Sequence, residues 1–244
     1  MRIDVLLAPA EVGGRGLSGR VAAVIDVLRA TSTIVEAVAN GARRVLPAAD
    51  MDDAMRLAQT FGRDQVLLCG ERRSRKIEGF DLGNSPLEFT SEAVADKLVV
   101  MTTTNGTRAL LASESADRSV VASYLNMSAA AAELAASGKP IVLLCAGREN
   151  RFSLDDALCA GSLVAALRGL AQERVRLNEA ALAVAALERR YRTRLNAVIR
   201  RTGAARQIMD AGHTDDIAYC LTRDRHDDVP VMAERQILRA AAEN

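Results

Sequence analysis

Asp26 with Arg29, Glu71 with Arg72, the threonine-rich turn Thr102–Thr107, and Arg148 with Asp155 and Asp156 each follow closely on an apolar run of the chain. So many carboxylates together would repel an anionic substrate unless a hard cation stood between them, and Mg²⁺ is the cation that carboxylates share with phosphate. Asp26, Glu71, Asp81 and Asp156 are the candidate metal ligands or acid–base groups. Guanidinium forks fit phosphate, sulfonate and carboxylate bidentately. Arg29 and Arg72 are therefore candidate anion clamps, with Arg73, Arg75 and Lys76 adding positive charge. Taken singly, each charge has a plainer reading: Asp26 as a helix cap, and residues 72–76 as a solvated loop.

The stretch from Lys97 to Leu111, KLVVMTTTNGTRALL, runs from a buried strand into a helix start. Gly106 permits a sharp turn, and unpaired N–H groups at a helix start attract oxyanions. Thr103, Thr104, Asn105, Gly106 and Thr107 form a candidate oxygen cradle on this reading; the alternative is a simple threonine-capped turn. Asn84 and Ser85, in the polar loop from Glu71 to Pro86, are further candidate donors or the closing residues of an Asx-type turn. That loop is long enough to be functional, and Ile77, Phe80 and Leu82 give it apolar anchors.

The elements that must position these groups alternate along the chain. Strands are predicted at Val21–Leu28, Arg44–Leu46, Gln65–Cys69, Leu98–Thr103, Ser119–Tyr124 and Ile141–Cys145. Helices are predicted between them at Thr31–Asn40, from Asp50 through Phe61, and at Thr90–Asp96, Thr107–Ser115 and Ser128–Ala136. This alternation predicts an α/β layered fold, α/β/α, with a mostly parallel or mixed sheet. From Leu154 the pattern turns helical, at Leu154–Leu170, Asn178–Arg192 and Leu195–Arg201, with a last strand at Val229–Met232. The expected organisation is an N-terminal α/β subdomain over 1–125 carrying the phosphate and metal site, and a helix-rich second subdomain over 126–244. In parallel α/β folds ligands bind beyond the carboxyl ends of the strands, which is where the charged clusters fall.

At 244 residues, 49% of them hydrophobic and 26% charged, the chain can bury a full core. A formal charge of +1 gives no general case for nucleic acid. The segment Glu188–Arg201 carries six arginines, but with Tyr191 as its only aromatic it reads as a solvated helix face rather than an RNA contact. No apolar run reaches the length of about 20 residues that spans a bilayer, and the start, MRIDVLLAPAE, lacks the apolar core of a leader. The expected compartment is the cytoplasm, and a homodimer is the expected assembly. Cys69, Cys145, Cys159 and Cys220 are widely spaced and read as structural. The histidines, His213 and His226, have no partner at a metal-binding spacing.

IDVLRATSTIVEA (25–37), GERRSRKIEGFDLGNSP (70–86), TTTNGTRAL (102–110) and CAGRENRFSLDDALCAG (145–161) together resemble the 2-phosphosulfolactate phosphatase family, and DDIAYCLTRDRHDDVPVM (215–232) resembles its closing motif more loosely. The resemblance implies an enzyme that uses Mg²⁺ to hydrolyse (R)-2-phospho-3-sulfolactate to sulfolactate and phosphate, a step towards coenzyme M. A related small phospho-acid is the alternative substrate, and a non-catalytic anion- or RNA-binding protein the alternative class. Asp155 stands where the family pattern places Glu. The expected site has Asp26 at its centre, as nucleophile or as metal ligand, with Glu71, Asp81 and Asp156 as metal ligands or general acid–base groups. Arg29 and Arg72 would clamp the anionic substrate, which carries phosphate, sulfonate and carboxylate.

Overall fold

The computed structural model describes residues 1–14, 16–62, 65–171 and 174–240. Its strands are β1 (Arg2–Leu6), β2 (Val21–Ile25), β3 (Arg44–Pro47), β4 (Val66–Arg72), β5 (Arg75–Lys76), β6 (Leu98–Thr102), β7 (Arg118–Ala122), β8 (Ile141–Cys145), β9 (Arg176–Leu177), β10 (Pro230–Ala233) and β11 (Gln236–Arg239). They join in one sheet in the order β5-β4-β6-β3-β11-β10-β7-β2-β8-β1-β9. β4, β6 and β3 form one parallel set, and β7, β2, β8, β1 and β9 form another. The antiparallel hairpin β10–β11 stitches the two sets together. The fold is thus α/β with a mixed, largely parallel sheet, as the alternation predicts. β8 lies between β2 and β1, and the C-terminal hairpin between β7 and β3, so the sheet crosses position 125 without a break.

Burial explains the strand sequences. β2 (VAAVI), β6 (LVVMT) and β8 (IVLLC) are buried at every position, and strands covered on both faces read as near-continuous apolar runs. The helices are α1 (Ala30–Ala39), α2 (Met51–Phe61), α3 (Ser91–Val94), α4 (Gly106–Ala112), α5 (Met127–Ala136), α6 (Leu154–Leu170), α7 (Glu179–Tyr191), α8 (Leu195–Ile199), α9 (Gly203–Asp210) and α10 (Thr214–Cys220). Asp50 caps α2 as its type and place predict, accepting from Asp53 N at 2.8 Å. α6 is apolar around most of its circumference because it is enclosed, packing with α5 and α7 against β2 and β8. Side chains of α5, α6 and α7 build the core on one face of the β2 set, while α1 and α4 pack with Val24, Val45, Val99 and Met101 on the other.

Two differences from the sequence reading matter. β4 does not stop at Cys69; Glu71 and Arg72 continue it by pairing with Lys76 and Arg75 in a hairpin, so the polar loop begins as ordered sheet. β1 escapes detection because it is short and starts at the N-terminus, yet Ile3 and Val5 are fully buried beside β8. The anchors Ile77 and Phe80 are buried as expected. Cys69, Cys145, Cys159 and Cys220 are buried thiols. Among the described residues no helix is long and apolar enough to cross a membrane.

α1 connects β2 to β3 and α4 connects β6 to β7, so each spans from one parallel set to the other. Their first turns meet. A Cβ built on Gly106 would lie 2.3 Å from Ala30 Cβ and 2.7 Å from Asp26 Oδ2. Only glycine allows the two helix starts to approach this closely, and that approach brings the carboxyl ends of both strand sets to one crevice.

Candidate active site

The crevice is lined by Asp26 and Arg29 after β2, Glu71, Arg73 and Ser74 at the end of β4, Asn84, Thr103 to Asn105 after β6, Gly147 to Glu149 after β8, Ser153, Asp155 and Asp156 at the start of α6, and Ala204 and Gln207 of α9. Every parallel strand that contributes does so from its carboxyl end, as α/β topology requires.

Asp26 is buried at the end of β2. Its main chain is locked by Thr31, whose Oγ1 accepts from Asp26 N at 3.0 Å and donates to Asp26 O at 2.8 Å. Its carboxylate accepts from Ala30 N, so the cap reading and the site reading hold together. Burial pushes its pKa from 3.8 to about 7, and the charges of Asp155 and Glu71 push in the same direction. Asp155 and Asp156 are raised as well, chiefly by burial; for Asp156 the neighbouring Asp155 and Asp26 add to it.

The other carboxylates tie loops together. Asp156 accepts from Val27 N at 3.0 Å and from Gly147 N at 2.9 Å, bridging the segments after β2 and β8. Glu71 accepts from Thr104 N at 2.8 Å and from Ser74 N at 2.7 Å, bridging β4's hairpin to the threonine turn. Asp155 accepts from Ser153 Oγ. Each of these carboxylates still has lone pairs to offer.

The threonine turn is more self-contained than its sequence suggests. Thr107 N donates to Thr103 Oγ1 at 3.1 Å, Thr103 N to Thr107 Oγ1 at 3.3 Å, and Thr107 Oγ1 to Thr103 O at 3.0 Å. With Thr104 N on Glu71, these donors are spent within the protein. Thr107 and Gly106 hold the turn rather than line the crevice, and Asn105 Oδ1 accepts from Glu149 N at 3.0 Å. Thr104 Oγ1 is buried without a hydrogen-bond partner, and so is Asn84 Oδ1. Buried polar atoms are seldom left so, and both residues line the crevice.

The predicted arginines divide. Arg29 lines the crevice, buried, with Nη1 on Asp216 Oδ2 at 2.5 Å and Nη2 donating to Ser74 O at 3.0 Å. Arg72 turns away, donating to Glu71 O and Thr102 Oγ1. Asp81 also lies outside the crevice. Its Oδ2 accepts from Leu68 N at 2.8 Å, which fastens the loop back onto β4 instead of facing a cation. Ser85 lies behind the wall, donating to Asp216 Oδ1 at 2.6 Å.

Sequence reasoning passed over Ser74, Gln207 and Asp216. Arg148 was noted among the charges that follow apolar runs but was given no role, although it follows β8 as Arg29 follows β2. Asp216 lies in the loosely matching C-terminal block and reaches the site only through α10's packing, while Gln207 comes from a helix with no motif. His226 Nε2 lies 2.8 Å from Glu36 Oε2, and His213 Nδ1 lies 4.0 Å from Asp216; neither lines the crevice.

The donor set suits a hard cation: all-oxygen, rich in carboxylates that repel one another, with the orphaned Asn84 Oδ1 as a neutral oxygen beside them. Among the described residues no three or more His, Cys, Asp or Glu side chains form a ready-made metal cage. Mg²⁺ does not need one, because it keeps several waters and takes one or two carboxylates plus substrate phosphate oxygens.

Comparison with known proteins agrees with the site. Residues 6–235 match the family described as 2-phosphosulpholactate phosphatase. A protein of Caldanaerobacter subterraneus is 42% identical over 220 residues, 90% of each chain, and is named probable 2-phosphosulfolactate phosphatase. Proteins of the same name from Symbiobacterium thermophilum and Thermotoga maritima are 39% and 38% identical, covering 96% and 94% of this chain and 98% and 95% of theirs. With a family match over nearly its whole length, the chain belongs to the 2-phosphosulfolactate phosphatase family.

Proposed function

We propose that this chain is a phosphoric monoester hydrolase that uses Mg²⁺ to cleave 2-phospho-3-sulfolactate to 3-sulfolactate and phosphate. The observation that carries the reading is Asp26: a buried carboxyl raised to about 7 by desolvation, Asp155 and Glu71, in a crevice whose relatives are named for this substrate. Such a group is short of a positive charge. When bound, Mg²⁺ supplies that charge and polarises the phosphoryl oxygens.

Asp26 and Asp155 would hold the cation, with Glu71 tying β4's hairpin to the threonine turn and Asp156 keeping the loops after β2 and β8 in register. Arg29, already fixed by Asp216 and the Ser74 carbonyl, presents its guanidinium edge to the substrate. Thr104 Oγ1 is left to donate to its oxygens, and Asn84 Oδ1 is left as a neutral oxygen for the cation. The crevice is walled by buried side chains, so interactions inside it act at lower effective dielectric than in water.

A nucleophilic role for Asp26 is the second reading, favoured by its having fewer hydrogen bonds than Asp156 or Glu71. Rapid quench followed by hydroxylamine separates the two. A trapped acyl-phosphate assigns attack to Asp26. No trapped species, with Mg²⁺ affinity lost in Asp26→Asn, assigns it to the cation. The function itself is tested by phosphate release from 2-phosphosulfolactate against a panel of small phosphate esters. Preferred release from the sulfonated ester is expected; folded protein that releases none with any divalent cation overturns it.

A further inference from the structure

Arginines around the crevice differ in what already neutralises them. Arg29 is 3% exposed and paired with Asp216. Arg72 spends its guanidinium on Glu71 O and Thr102 Oγ1. Arg148 is different, because Nη2 donates to the neutral Gln207 Oε1 at 3.0 Å. Among the described residues no carboxylate lies within ion-pair distance of it. Asp155 lies near enough to feel its charge, but that carboxylate does not bond it, and the guanidinium can still take a ligand.

Its placement is also fixed. Arg148 and Arg151 exchange N–H···O bonds of 2.8 and 2.9 Å around Glu149 and Asn150, whose φ values are 52° and 60°. Positive φ at both central residues is the tight type I′ geometry. Glu149 N on Asn105 Oδ1 clamps this turn to the start of α4. A Cβ at Gly203 would lie 2.0 Å from Arg148 Nη1, so the guanidinium occupies space that a glycine leaves open. Arg148 lines both the carboxylate crevice and an adjoining groove of about 570 Å³, where Arg201 and Arg206 add further positive charge.

We infer that Arg148 receives the non-reacting sulfonate of the substrate and sets the site's preference for phosphate esters that carry one, an inference that rests on the function proposed above. The chemistry divides naturally. Phosphate oxygens belong with the carboxylate-held cation, whereas the weakly basic sulfonate is better matched by a permanently charged, planar guanidinium.

The test compares kcat/KM for 2-phosphosulfolactate and for 2-phospholactate, which lacks the sulfonate, in wild type, Arg148→Ala, Gly203→Ala and Arg73→Ala. The ratio of the two constants should fall about 10- to 100-fold in Arg148→Ala, the effect of losing a charge-assisted hydrogen-bonding partner. Gly203→Ala keeps the arginine but displaces its tip, and should lower the same ratio by less. An unchanged ratio in Arg148→Ala, whatever the absolute rates, overturns the assignment. So does a fall confined to Arg73→Ala, which would move the role to the β4–β5 turn. If wild type hydrolyses neither ester, the proposed function fails, and calorimetric titration with 3-sulfolactate then reads the inference alone. Binding weakened at least about tenfold in Arg148→Ala supports it; equal binding overturns it.

Discussion

At the scale of single residues, the proton of Asp26 links the protein's stability to cation binding. Its carboxyl is raised from 3.8 to about 7, so between those values the folded protein binds more protons than the unfolded chain. Stability of the metal-free protein therefore falls as pH rises through that window. Asp26→Asn should flatten this slope in thermal melts at pH values from about 4 to 8, with a relief on the order of a few kcal/mol at the upper end. A slope unchanged by the substitution would show that the carboxyl is not strained. The same proton competes with a cation. Mg²⁺ affinity should rise by up to about tenfold per pH unit below about 7 and level off above, with proton release detectable by calorimetry in buffers of different ionisation enthalpy.

The residue scale is also where the sequence was most and least readable. Asp26, Glu71 and Asp156 could be found because strand ends are where α/β chemistry falls. Asp81 was equally acidic but lay further along the polar loop, and its carboxylate turns to Leu68 N. Nothing in the local pattern separates a carboxylate that faces a crevice from one that fastens a loop. Thr103 to Thr107 misled differently, since donors that looked free bond one another.

At the scale of elements, the site depends on two helix starts meeting and on a distant helix reaching in. Gly106→Ala would drive a methyl group into Ala30 Cβ and Asp26 Oδ2. Separating α1 from α4 should cost about 1–3 kcal/mol, the usual range for overpacking, and lower kcat along with stability; urea unfolding and steady-state rates check both. Asp216→Ala leaves the Arg29 guanidinium buried and unpaired, with both partners nearly inaccessible. Breaking such a pair should cost about 3–5 kcal/mol, and a denaturation midpoint within error of wild type would contradict the role given to α10. The helices and buried strands were legible from periodicity and caps, as Asp50 and the apolar runs of β2, β6 and β8 show. The reach of α9 and α10 into the site was not, because tertiary packing alone sets it.

At the scale of the whole molecule, the hairpin β10–β11 is what makes one sheet of two parallel sets. Strand alternation announced an α/β fold, but pairing between strands more than a hundred residues apart leaves no periodic signature. Val231 beside Val120 and Ile237 beside Val45 are the contacts that close it. A chain ending before Pro230 should lose cooperative unfolding by circular dichroism and retain no activity; a truncated chain that melts cooperatively at the wild-type temperature would contradict this. The most direct trial of the whole account is phosphate release from 2-phosphosulfolactate after EDTA treatment and again with Mg²⁺ restored, for wild type and Asp26→Asn side by side. Release should vanish with EDTA, return with Mg²⁺, and remain lower by about a thousandfold in Asp26→Asn, the scale of loss for a group acting directly in the chemistry. Release that survives EDTA, or that Asp26→Asn leaves intact, would contradict it.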